Sequence, residues 1–323
     1  MLIACITAFL FSSQNSYAQI YSFTPFKFSF LPDINLSFQK NDDSIMRNES
    51  LVIFQDVIKS LGNRKDIDFI IWGGNLTENN DRQLSDLPSF LDASSELNHP
   101  YYVILGNNES KLTAAYTKQY FCAEFRRNGF LDTEKTYWSA EPSGNVLLIG
   151  LDTTIDNKDN GDLPKEELLW LDDLLKSNPN KFTIISMHHP AFIENPPPNP
   201  AFKNAHLIDN AQEFMTLINN YPQVKLIVSG DDLNYSVSKL NNKIYMNLPS
   251  INTYPCEYKV ISVSPEKISI ENNNIAFKQI IKKAKKSFLT SAFAAQYGFT
   301  KNKDILNYQN SNEYNKIKEI YFN

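Results

Sequence analysis

Five short polar clusters hold the residues of this chain best suited to chemistry. They are Asp33-Ile34-Asn35, Gly74-Asn75, Gly106-Asn107-Asn108-Glu109, His188-His189 and Gly230-Asp231-Asp232. Carboxylate and amide oxygens are ligands for hard dications such as Mg, Ca or Mn, and imidazole suits borderline metals. Together the five clusters supply carboxylates, amides and histidines, the ligand types such ions take. Nucleophilic catalysis has less support, because Ser186 and Ser229 lie inside or at the ends of apolar runs without a nucleophile-elbow pattern. The plainest alternative is that all five polar loops are structural and bind nothing.

Each cluster closes an apolar run, which says what must position it. DFIIWGGN (68–75), YYVILGNN (101–108), NVLLIGLDT (145–153), FTIISMHH (182–189) and VKLIVSGDD (224–232) are short and rich in Val and Ile, as buried strands are. Between them LVIFQDVIKSL, LPSFLDASSEL, KLTAAYTKQYFCAEF, PKEELLWLDDLLK and AQEFMTLINNY place apolar residues at helical spacing. Asp162 and Pro164 ahead of Glu166 and Glu167 mark a helix start. Alternating strands and helices build a sheet covered by helices, with functional groups gathered at the carboxyl ends of its parallel strands. KIYMNLPSI, YKVISVS and KISIEN have no helices between them and predict a second, more antiparallel set. A two-sheet α/β sandwich accommodates both groups.

The order and spacing of these clusters resemble the calcineurin-like metallophosphoesterase superfamily, in particular its bacterial cyclic-nucleotide phosphodiesterase-like branch. That signature runs D-x-H, G-D-x-x-D/N, G-N-H-D/E, a single H, and G-H-x-H. Here the corresponding text is FLPDINL, GGNLTEN, LGNNES, MHHP and VSGDDLN, over about residues 28–272, with LIGLDTT, DLPKEELLWLDDLL and YMNLPSINTYP matching between and beyond them. The resemblance implies an αββα sandwich and two divalent metals roughly 3.5–4 Å apart that activate water against a phosphoryl group. Carried over residue by residue, the metal ligands fall on Asp33, Asn35, Asn75, Asn107, His188 and Asp231, the last ligand falling on Leu233 or Asn234. The metal-bridging aspartate falls on Asn75, and the histidine that protonates the leaving group falls on Asn108.

Those substitutions remove what the chemistry needs. A neutral amide at position 75 cannot offset two cations, and Asn108 has no proton to give near neutral pH, a loss worth about 10²–10⁴ in rate. His→Asn and Asp→Asn are single-base changes toward A or T, in keeping with an Asn-, Lys- and Ile-rich composition. The resemblance therefore predicts a degenerate member with lost or weak catalysis whose pocket binds a phosphate-type ligand. The alternative is an atypical phosphoesterase using one Mg, Mn or Ca at the oxygen-rich site. The two differ on cofactor: no metal in the first, one divalent ion in the second.

Other features bound the partners. With 323 residues and a net charge of −5, the chain lacks the basic excess of a nucleic-acid binder. The run Leu2 to Phe11 followed by Ser16-Tyr17-Ala18 resembles a signal peptide over 1–18, which predicts export to the periplasm or beyond. A lipoprotein box at Cys5 sits too near Met1 to follow its own apolar region. No second apolar span is long enough to cross a bilayer. The metallophosphoesterase domain is expected over 24–272, then a C-terminal helix and polar tail over 273–323. That helix bears Lys278, Lys282, Lys283, Lys285 and Lys286 opposite an apolar face; packing on the domain is preferred to a membrane contact. ENPPPNP (194–200) reads as an extended rim. Cys122 and Cys256 show no metal spacing and read as buried thiols more readily than as a pair. His189 is expected to be a hydrogen-bonded neighbour of the presumed ligand, Asp152 a turn former and Trp72 core, whereas His99 and His206 find no partner by spacing.

Overall fold

The computed structural model describes residues 22–41, 44–79, 84–112, 114–193, 206–231, 235–291 and 318–322. In chain order these form β1 (Phe26–Leu31), α1 (Ser50–Gly62), β2 (Phe69–Gly73), α2 (Asp86–Ser95), β3 (Tyr101–Ile104), α3 (Lys118–Glu124), β4 (Trp138–Ser143) and β5 (Val146–Gly150). There follow α4 (Lys165–Ser177), β6 (Phe182–Ser186), α5 (Ala211–Asn219), β7 (Val224–Ser229), β8 (Ser236–Leu240) and β9 (Lys243–Asn247). β10 (Glu257–Val263), β11 (Lys267–Asn274), α6 (Lys278–Thr290) and β12 (Glu319–Tyr321) complete the order.

Two six-stranded sheets result, ordered β12-β11-β10-β1-β2-β3 and β4-β5-β6-β7-β9-β8. β1, β2 and β3 run parallel, as do β5, β6, β7 and β9, while the outer strands are antiparallel. Side-chain alternation fixes the layers. Along β5, Val146 and Leu148 join the cluster between the sheets, whereas Leu147 and Ile149 join Leu168, Leu171 and Leu175 of α4 with Phe214 and Ile218 of α5. On the first sheet Phe54 of α1 and Phe90 of α2 close over Trp72, with ring centroids 5.3 and 6.0 Å from it. Helices therefore cover both outer faces, and the αββα sandwich implied by the sequence is the fold.

The predicted strands all form, and the five that run into polar ends stop two to four residues early, so those ends leave the sheet and become loops. The helix expected over 111–125 shortens to α3, capped by Thr117, whose hydroxyl accepts from the Tyr120 amide at 3.2 Å. β4, β8 and β12 had no clear signal. The tail expected to be polar ends in β12, which pairs with Lys267–Ser269 of β11, and Phe322 packs 5.4 Å from Phe182 between the sheets. α6 buries Ile280, Ala284 and Phe288; Lys283 pairs with Glu49, and Lys285 lies over the Tyr254 ring. Cys122 and Cys256 are free and buried. No helix among the described residues is long and apolar enough to cross a membrane. The leader over 1–18, the rim over 194–200, Leu233 and Asn234 lie outside the described residues.

Candidate functional site

Five strand ends meet at one edge of the sandwich. Asp33 and Asn35 follow β1, Asn75 follows β2, Asn107 and Asn108 follow β3, His188 follows β6 and Asp231 follows β7. The seven of these site residues that are described, Asp33, Asn35, Asn75, Asn107, Asn108, His188 and Asp231, are brought together. Asp33, Asn35, Asn75 and Asp231 have φ of +54°, +43°, +51° and +59°, left-handed backbone that Asn and Asp tolerate better than other non-glycine residues. Gly74 and Gly106 allow the loops to touch: a Cβ on Gly74 would lie 2.8 Å from His188 Nδ1, and one on Gly106 would lie 2.4 Å from the Asn75 amide nitrogen.

The hydrogen bonds leave the asparagine side chains no choice of orientation. The backbone N–H of Asn108 donates to Asn75 Oδ1 at 2.8 Å, and a backbone N–H cannot accept. Asn75 Nδ2 therefore points the other way, donating to Asp33 Oδ1 at 3.0 Å and Asn107 Oδ1 at 2.9 Å. Asn108 is fixed likewise. Its Oδ1 accepts from the ammonium of Lys111, so Nδ2 faces acceptors, Asn35 Oδ1 at 2.9 Å and the Thr77 carbonyl at 3.0 Å. Asn35 Nδ2 returns to the Asp33 carbonyl at 3.3 Å. The amides at the metal-ligand positions thus bind one another.

His188 is fully buried and its Nδ1–H donates to the Gly73 carbonyl at 2.7 Å. Nε2 faces Asn107 Oδ1 at 3.2 Å, Asp231 Oδ1 at 3.7 Å and Asp33 Oδ1 at 3.9 Å. Burial would lower its pKa, but the Asp33 and Asp231 carboxylates and the Gly73 carbonyl outweigh that and raise it. Asp33 is shifted upward by burial, against the pull of His188. Asp231 goes the other way: burial opposes its charge, yet His206, with Nδ1 at 2.9 Å, and the neighbouring histidines hold it down at about 2. Below the site, Glu109 accepts the backbone N–H groups of Gly106, Asn75 and Leu76 at 2.8, 2.8 and 2.9 Å, clamping the β2 and β3 loops together. Ser250 fixes β1's loop, donating to the Asp33 carbonyl at 2.6 Å.

His188, His189 and Asp231 place ligand atoms within 4.8 Å of one another. His189 is nonetheless engaged at both nitrogens, by Thr153 Oγ1 at 2.8 Å and the Asp159 carbonyl at 2.9 Å, and burial lowers its pKa to about 4. It is the hydrogen-bonded neighbour expected. Asp152 forms the expected turn, accepting from the Thr154 amide at 3.0 Å, and also pairs with Lys118 at 3.0 Å. The sequence reading missed His206 and Lys111. His206 reaches Asp231 from 25 residues away in the chain, and no spacing signals it. Lys111 was within the LGNNESK stretch, but its fold back onto Asn108 depends on the one-turn helix Asn107–Ser110.

A family model described as calcineurin-like phosphoesterase matches residues 27–235. Among known proteins, a 3',5'-cyclic-nucleotide phosphodiesterase of Nostoc sp. is 34% identical over 107 residues, 33% of this chain and 39% of that protein. A 3',5'-cyclic adenosine monophosphate phosphodiesterase of Vibrio vulnificus is 23% identical over 196 residues, 60% of this chain and 65% of that protein. The chain thus spans less than two thirds of these relatives' lengths. A dimetal phosphatase from Danio rerio shares the fold with a TM-score of 0.61 at 13% identity, covering 78% of this chain and 98% of that one.

Proposed function

The chain belongs to the calcineurin-like phosphoesterase family, and we propose that it is a member that binds a phosphate-type ligand without hydrolysing it. The observation that carries this reading is the direction of the Asn75 amide. Its N–H groups point at Asp33 Oδ1 and Asn107 Oδ1, two oxygens at metal-ligand positions. A bridging carboxylate would present lone pairs and a negative charge there; an amide presents protons. Turning it round would cost the bond from the Asn108 backbone N–H. The residues present do not fit a two-metal centre, and no hydrolytic step through one is derived.

The same network supports the loss of acid catalysis. Asn108 stands where the family resemblance puts the leaving-group acid, and its amide is committed to Asn35, Thr77 and Lys111. The relatives are phosphodiesterases by name, which supports a phosphate ester as the ligand class. A second reading, one Mg, Mn or Ca bound at a single site, is favoured by one feature. Asn107, Asp231 and Asp33 oxygens surround His188 Nε2 at 3.2–3.9 Å. The first reading is preferred because the Asn75 protons stand against these same oxygens.

Metal content separates the two. Purified protein incubated with Mn or Mg is expected to retain no stoichiometric metal and to gain no melting temperature from it. Hydrolysis of a chromogenic phosphodiester that disappears in His188→Ala would overturn the non-hydrolysing reading.

A further inference from the structure

A pocket that holds phosphate without dications needs positive charge from elsewhere, and Lys111 is placed to provide it. The one-turn helix Asn107–Ser110 ends at Lys111, whose backbone turns extended and brings the side chain back over Asn108. Its partner there, Asn108 Oδ1, is neutral. Among the described residues no carboxylate lies within ion-pair distance of this ammonium, in contrast to Lys118, Lys181 and Lys283, each paired with an acid. Lys111 is half-buried, and two of its ammonium's three N–H groups remain beyond the bond to Asn108.

A second donor stands on the same turn. Asn107 Oδ1 is taken by the Asn75 amide, so Asn107 Nδ2 points away from the buried network toward solvent. It donates to an anion, Asp159 Oδ1, at 3.5 Å, the outer limit of a hydrogen bond. Asp159 is exposed. The loop that carries it is held from behind, its backbone carbonyl accepting from His189 Nε2 at 2.9 Å. Residues 107–111 therefore carry one unneutralised cation and one outward amide, with an internal carboxylate standing loosely against that amide.

We propose that Lys111 and Asn107 Nδ2 form a clamp for a phosphoryl group, with the Asp159 carboxylate as the internal anion that such a ligand displaces. This rests on the site being a phosphate pocket that does not hydrolyse. The ammonium supplies the charge and the amide supplies direction, and charge-assisted hydrogen bonds are about twice as strong as neutral ones.

The test is calorimetric titration of the full chain with inorganic phosphate and with 5'-AMP, without divalent metal. Lys111→Gln keeps a donor to Asn108 Oδ1 and removes the charge, so it separates binding from packing. It is expected to weaken both ligands by roughly tenfold or more, whereas Lys111→Arg stays close to wild type. Asp159→Asn removes the competing charge and is expected to tighten both ligands about threefold or more. A structural role for Lys111 would predict no change in Lys111→Gln or Asp159→Asn. Wild-type affinity in Lys111→Gln overturns the clamp. So does a wild-type protein that binds neither probe and shows no turnover, an outcome that leaves loss of catalysis intact. Metal-dependent turnover would instead overturn the non-hydrolysing reading, while the Lys111→Gln affinities still decide the clamp.

Discussion

Replacing Asn75 by aspartate tests the amide network at its centre. The change keeps Oδ1, which accepts the Asn108 backbone N–H at 2.8 Å, and converts only the NH₂ end into oxygen. That end now donates to Asp33 Oδ1 at 3.0 Å and Asn107 Oδ1 at 2.9 Å. Two hydrogen bonds are lost, at about 1 kcal/mol each. Two buried carboxylates are also brought to about 3 Å, worth about 5 kcal/mol of repulsion at an effective dielectric near 20. Part of this is relieved when the pair shares a proton, which restores one hydrogen bond and raises the pair's folded-state pKa above the unfolded value of about 4. A folded state that binds more protons than the unfolded one loses stability as pH rises from about 4 to the raised pKa. The penalty should therefore be small near pH 5, about 1–2 kcal/mol, and reach roughly 3–5 kcal/mol at pH 8. By thermal unfolding at pH 8 that is a fall of roughly 5–8 °C for a chain of this size. Mn or Mg should restore much of it in the variant and do nothing for the wild type, because only the variant has an anion between the two ligand groups. Equal melting temperatures at pH 8 without metal, or a penalty that does not shrink toward pH 5, would refute the network as described.

Two further outcomes test how the site's frame is held. Phe322→Ala should cost about 3 kcal/mol in urea unfolding, because the ring fills space beside Phe182 between the sheets; a loss below about 1 kcal/mol would mean β12 is not docked. Lys243 of β9 is buried, donates to the Tyr221 and Val224 carbonyls at 2.9 and 3.2 Å, and has its pKa lowered to about 8 by burial and then by Lys225. Between pH 8 and about 10.4 the unfolded chain binds more protons, so stability should rise with pH by at most about 1.4 kcal/mol per unit. Lys243→Met should flatten that slope, and an unchanged slope would assign it to another group.

Much of this protein is written locally. The runs ending in Asn75, Asn108, His188 and Asp231 declare strands by apolar content, and a parallel sheet delivers such ends to one edge. The order of the five polar clusters was enough to imply the family, and the sequence alone puts amides at positions 75 and 108, where the resemblance expects its bridge and its acid. α3 was overextended because the helical spacing of 111–125 does not register that the chain must first turn through Lys111 and Tyr116, where the Tyr116 carbonyl accepts from Asn79 Nδ2 at 2.9 Å.

Only the tertiary structure decided which way each amide points. Asn75 could as well offer its oxygen as its nitrogen to Asp33 until the Asn108 backbone N–H, 33 residues away, claims the oxygen. The pairing of His206 with Asp231, the return of Lys111 onto Asn108 and the docking of β12 on β11 are of the same kind. Composition and periodicity report how a residue relates to its own strand or helix. Hydrogen-bond polarity and charge neutralisation are set by whichever groups the folded chain brings within about 3 Å, and those come from other loops.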